Sequence, residues 1–130
     1  MDEIPPILLV EDELLVRLTI AEALEHGGYT VIQCDNGPAA IDLIDSLPDI
    51  RGLVTDIRLG SDVDGWKVAH HARVKFPCVA VVYITGDSAN EWTASGVPES
   101  AMLQKPFASS EIVTALANLL ITQQNITRGS

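Results

Sequence analysis

Short apolar runs rich in β-branched residues alternate along the chain with longer stretches whose apolar positions recur at helical spacing. This alternation predicts βαβ units and hence an α/β domain with a parallel sheet. The expected strands are Ile7 to Val10, Thr30 to Gln33, Gly52 to Thr55, Val79 to Ile84 and Ala101 to Leu103. Each is apolar at nearly every position, as strands covered on both faces are. Between the first two, Val16, Ile20, Ala23 and Leu24 line one face of a helix, and Gly27 with Gly28 supplies a left-handed stop. Pro38 to Leu47 reads as a second helix with proline in its first turn, and Gly65 to Phe76 as a third that Pro77 ends. Ser88 to Ser95 carries few apolar residues before Gly96 and Pro98, so a fourth helix there is short and weakly held. In the last helix Ile112, Ala115, Leu116, Leu119 and Leu120 keep the spacing, with Ser109 or Ser110 available as a cap. One domain is expected over residues 1–130, with its core over about 6–122 and a polar tail over 123–130 that leads into no second module.

Composition narrows this picture without naming a function. A chain of 130 residues with 47% apolar and 20% charged residues suits one folded core. No apolar run is long enough to span a bilayer, and the acidic N-terminus is unlike a signal peptide, so a cytoplasmic protein without membrane attachment is expected. Eighteen acidic side chains against eight Lys and Arg give a net charge of -10, which repels nucleic-acid phosphates and anionic lipid. Cys34 and Cys78 flank apolar residues, have no metal-ligand spacing, and read as small buried hydrophobes.

In a parallel α/β sheet, ligands bind at the carboxyl ends of the strands, so polar residues at those ends are the candidate chemistry. Glu11 and Asp12 follow ILLV, Asp56 follows GLVT, Thr85 ends VAVVYIT, and Lys105 follows AMLQ. All converge on one edge of the sheet. Three carboxylates gathered there need a positive partner, and an all-oxygen cluster suits a hard cation such as Mg²⁺ or Mn²⁺. Such an ion would screen Asp56 as it meets an anionic phosphoryl donor, which makes that carboxylate a candidate nucleophile. Lys105 offers an ammonium and Thr85 a hydroxyl donor to the same phosphoryl oxygens. A cis peptide at Lys105-Pro106 would aim the lysine back into the site.

Each residue also has a plain structural reading. Glu11, Asp12 and Glu13 could favour the positive end of the first helix, Asp56 could be a loop aspartate, Thr85 before Gly86 could serve a turn, and Lys105 could be a solvated lysine. Four coincidences at four separate strand ends are what the structural reading requires. His70 and His71 lie mid-helix and read as surface or interhelix residues; Trp66 and Trp92 read as packing or partner-contact residues. No glycine-rich phosphate loop is present in the sequence, which argues against a nucleotide enzyme.

Taken together, LLVEDE, LVTDIRL, YITGD and LQKPF resemble the receiver domain of two-component response regulators, over residues 6 to 122. The resemblance implies a flavodoxin-like (βα)5 fold with strand order 2-1-3-4-5. It implies direct Mg²⁺ coordination by Asp12, Asp56 and the backbone carbonyl of Arg58, with Glu11 acting through water. It further implies phosphoryl transfer to Asp56 from a histidine kinase or histidine phosphotransfer protein, by a domain that is not a turnover enzyme. Receivers switch by moving the threonine while an aromatic residue three positions before the lysine changes rotamer. That position is Met102 here, which departs from the pattern and leaves a thioether without ring or hydroxyl. Arg58 and Asp87 lie two residues after the acceptor and the threonine; the expectation is that they pair across the mouth of the site and slow hydrolysis of the acyl phosphate.

Three functions follow as expectations. The leading one is a stand-alone receiver, monomeric or weakly dimeric, that relays phosphoryl groups or binds a partner when phosphorylated. The second is a receiver-like adaptor whose binding ignores phosphorylation. The third, an aspartate-nucleophile phosphatase, needs a second aspartate where this chain has Arg58.

Overall fold

The computed structural model describes residues 4–87 and 89–129, and within these not the side chains of residues 89 and 123–129. Met1 to Glu3, Ser88 and Ser130 lie outside the described residues. The elements are β1 (Ile7–Val10), α1 (Leu14–His26), β2 (Val31–Cys34), α2 (Gly37–Ser46), β3 (Gly52–Asp56), α3 (Gly65–Lys75), β4 (Ala80–Thr85), a 3-10 turn at Ala89–Glu91, α4 (Trp92–Ser95), β5 (Ala101–Gln104) and α5 (Ser109–Gly129). All strand pairings are parallel and the order is β2-β1-β3-β4-β5, the flavodoxin-like α/β arrangement.

Alternation along the strands divides the core in two. Leu8, Leu53, Val81 and Tyr83 face α2 and α3, while Ile7, Leu9, Val54, Val82 and Ile84 face α1 and α5. Helices on both faces explain why β1, β3 and β4 are buried throughout. The chain order reverses across β1, with β2 on one side and β3 on the other, so the carboxyl ends of β1 and β3 open onto a crevice.

Helix starts and stops follow local chemistry. Asn36 Oδ1 accepts from Ala39 N–H (2.8 Å) and Asp64 Oδ1 from Lys67 N–H (3.0 Å), capping α2 and α3. Gly28, with φ of 96°, turns the chain after α1. At α5 neither serine caps: Ser109 is already helical, and Glu111 Oε1 instead accepts from the N–H of Ala108 (2.9 Å), the return half of a capping box. Residues 123–129, expected as a polar tail, continue α5. β2 lies one residue later than the pattern predicted, and β4 starts at Ala80 because Val79 N–H closes a turn onto Phe76 O (3.0 Å). Cys78 lies in that turn and is exposed, contrary to the buried placement expected of it. Cys34 is half-buried at the end of β2, and both cysteines are free.

Candidate phosphoacceptor site

Backbone pairing carries the candidate side chains to one edge. Glu11 N–H donates to Cys34 O (3.1 Å), Ile57 N–H to Ile84 O (3.1 Å) and Lys105 N–H to Thr85 O (2.7 Å), and Val10 of β1 pairs with Thr55 of β3, so the ends of all five strands are tied together. Close approach of α3 to β3 requires Gly65, since a Cβ there would collide with the carbonyl of Asp56. Gly65 N–H donates to Ile57 O (2.7 Å), closing the loop that follows the aspartate.

Glu11, Asp12 and Asp56 each bring a carboxylate oxygen within 4.8 Å of the others. Glu11 is fully buried, Asp56 is 6% exposed, and Asp12 faces solvent. Lys105 Nζ lies 3.0 Å from Asp56 Oδ2, 3.4 Å from Glu11 Oε1 and 3.8 Å from Glu13 Oε1. The peptide Lys105-Pro106 is cis. Thr85, 1% exposed, is the last residue of β4, and its Oγ1 accepts from Asp87 N–H (3.1 Å). Arg58 Nε donates to Asp87 Oδ1 at 2.9 Å across the outside of the site. Glu13, to which the sequence assigned no site role, joins the set by reaching Lys105; its signal was only its place beside the acid pair.

Electrostatics express the crowding. Burial pushes Glu11 up to about 7; the Glu13 N–H that donates to its Oε2 (3.0 Å) opposes this, while the charge of Asp56 and contact with Asp12 add to it. Burial works against the charge of Lys105, but its hydrogen bond to Asp56 and the charges of Asp56 and Glu11 outweigh that and hold the ammonium above its usual value. Glu11 Oε1 is buried and accepts no well-formed hydrogen bond; its partner is the Lys105 ammonium at 3.4 Å, shared with Asp56 and Glu13. Three clustered carboxylates with a single ammonium among them fit a hard divalent cation better than a thiophilic metal.

The residues outside this edge are engaged elsewhere. Met102 is half-buried against the α2/α3 half of the core. His70 Nε2 lies 2.9 Å from Ser95 O and His71 Nε2 2.7 Å from Asp45 Oδ1, both far from the acids in the sequence and bridging helices. Trp66 packs edge-on against Tyr83, with centroids 4.6 Å apart.

An open, doubly wound parallel sheet with an acid cluster, a lysine and a threonine at its carboxyl edge defines a class of α/β domains that bind at that edge. Residues 7–117 match the response regulator receiver domain family, and the chain belongs to that family. A response regulator receiver protein from Sinorhizobium medicae WSM419 is 40% identical with a TM-score of 0.90, covering 93% of this chain and 98% of that one. Sensor kinase CckA of Brucella abortus is 28% identical over 90% of this chain and 13% of its own length. The alginate biosynthesis transcriptional regulatory protein AlgB of Pseudomonas aeruginosa is 33% identical over 91% of this chain and 26% of its own. The chain spans about half or less of the length of such curated relatives. Among the described residues no helix is long and apolar enough to cross a membrane.

Proposed function

We propose that this receiver accepts a phosphoryl group on Asp56 from a phosphohistidine of a histidine kinase or histidine phosphotransfer protein in the cytoplasm, and that a downstream protein reads the product. The observation that carries the reading is the 3.0 Å pairing of Lys105 Nζ with Asp56 Oδ2 inside the acid cluster. In the transfer, an Asp56 carboxylate oxygen bonds to phosphorus as the P–N bond breaks, and the electron pair of that bond returns to the imidazole. Lys105 neutralises charge on the phosphoryl oxygens, and the Thr85 hydroxyl donates to one of them. Asp12, Asp56 and the Arg58 backbone carbonyl would hold Mg²⁺ or Mn²⁺, with Glu11 acting through water. The ion, when bound, offsets the mutual repulsion of the acids and the incoming phosphoryl group. Arg58 and Asp87 act as a gate on hydrolysis, and Met102 and Pro106 belong to the readout. The domain takes part in its own phosphorylation and is not a turnover enzyme.

Incubation with acetyl phosphate and Mg²⁺ followed by intact mass tests this. Wild type gains one phosphoryl group, whereas Asp56→Asn and wild type in EDTA do not. Equal labelling of the variant would remove Asp56 from the chemistry. Met102, in place of an aromatic, favours one alternative: an adaptor that binds its partner regardless of phosphorylation, whose binding Asp56→Asn would leave unaltered.

A further inference from the structure

α4 is a single turn of four residues, none of them buried, and too short to be stable by itself. Its position is set by packing of Trp92 against the α2/α3 half of the core and by side-chain hydrogen bonds. Trp92 Nε1–H donates to Ser100 Oγ (2.9 Å), Ser100 Oγ–H donates to Val97 O (2.7 Å), and Val97 N–H donates to the hydroxyl of Tyr83 (3.0 Å). The Trp92 ring lies so close to Gly96 that a Cβ there would come within 2.6 Å of its Cδ1. A separate contact, His70 Nε2 to Ser95 O (2.9 Å), fixes the other end of the turn to α3. The Trp92 end therefore depends on the chain of bonds that begins at Tyr83.

Tyr83 is fully buried on β4, two residues before Thr85, so both side chains lie on the same face of the sheet. Its cross-strand partner on β5 is Met102, which has no hydroxyl to reach the loop. The aromatic hydroxyl that ties sheet to loop thus sits on the strand that carries the threonine. Tyr83 is wedged between Trp66 and the core, so a shift of the end of β4 has little room to dissipate around it and moves the hydroxyl that Val97 N–H depends on. Val97 N–H is itself buried with this bond, and breaking it leaves an unsatisfied donor.

We propose that Tyr83 is the positioning residue that couples the phosphorylation state of the site to α4, through Val97 and Ser100 to Trp92. This rests on phosphoryl uptake at Asp56, and the test separates the two. In ¹⁵N-labelled protein the indole N–H peak of Trp92, assigned with Trp92→Phe, reports its bond to Ser100. Addition of acetyl phosphate and Mg²⁺, with intact mass taken on the same samples, shifts that peak in wild type. Tyr83→Phe takes up phosphate equally but loses most of the shift. The coupling is overturned if phosphorylated Tyr83→Phe shifts like wild type, or if the wild-type peak stays put although the mass shows phosphate. An absence of uptake in the mass spectrum instead overturns the acceptor reading, and the coupling with it.

Discussion

Arg58 and Asp87 form an ion pair whose side chains are 70% and 61% exposed, so it adds little to the stability of the fold. Its proposed value is as a gate on water reaching an acyl phosphate at Asp56. If the pair gates hydrolysis as proposed, Arg58→Ala should lose its acyl phosphate a few-fold faster than wild type with an unchanged melting temperature. Radiolabel decay after removal of the phosphodonor measures this, and equal decay rates would exclude the gate. The two thiols differ in the same local way. Burial pushes the Cys34 thiol up to about 11, whereas Cys78 stands exposed in the turn after α3. At pH 8 roughly one Cys34 in a thousand is thiolate, so iodoacetamide should modify Cys78 first, as peptide mapping would show. The sign for stability follows: an unfolded chain ionises this thiol near 9 and the folded one near 11, so Cys34 contributes stability that is lost as pH rises between those values. Cys78 was misread from sequence because it adjoins an apolar run; the strand begins two residues later, and only the turn bond from Val79 shows why.

Among elements, α1 is unusual in leaving Leu14, Leu15 and Leu18 exposed at 56%, 78% and 47%. Leu15 shares a shallow apolar cavity with Val16, Ile20, Pro106 and Phe107, and Lys105 also lines it. An apolar patch bordering the acceptor suits a protein donor and is of no use to a small one. Leu15→Asp should therefore slow transfer from a phosphorylated histidine phosphotransfer protein about ten-fold and leave labelling by acetyl phosphate unaltered. Equal losses with both donors would assign the effect to the site rather than to docking. Elsewhere Lys75 Nζ donates to the carbonyls of Ile44, Asp45 and Leu47 at 2.8 to 2.9 Å, capping the end of α2 from α3. Lys75→Met should destabilise the domain by about 1 kcal/mol, read as a shift in the urea midpoint. Helix existence was legible from spacing, the α2 start from Pro38 and the α3 end from Pro77, whereas the caps by Asn36 and Asp64 were not read. Nor was the Lys75 cap, since it depends on groups 28 to 31 residues apart.

At the scale of the whole molecule, strand ends could be matched to site residues because a parallel sheet delivers every carboxyl end to one edge, whatever the loops between do. That rule brought Glu11, Asp12, Asp56, Thr85 and Lys105 together on paper. It could not rank their burial, nor reveal that Lys105 is shared among Glu11, Glu13 and Asp56, because both depend on packing from α1 and β5. If the acids hold a cation as proposed, the same geometry predicts that the ion adds to the stability of the domain. Asp12 lies within the acid cluster yet forms none of the ion pairs of Lys105, which go to Glu11, Glu13 and Asp56. Asp12→Asn therefore relieves repulsion without breaking an ion pair of Lys105, and keeps an amide oxygen to accept from Glu11, so in EDTA the variant should melt a few degrees above wild type. Millimolar Mg²⁺ should reverse the order, because an ion bound only by the folded state raises stability with its concentration and the variant has given up a ligand. Differential scanning fluorimetry of both proteins, with EDTA and across a Mg²⁺ series, reads the crossing directly. Parallel curves that never cross would mean that Asp12 holds no cation and that the acids are gathered for some other purpose.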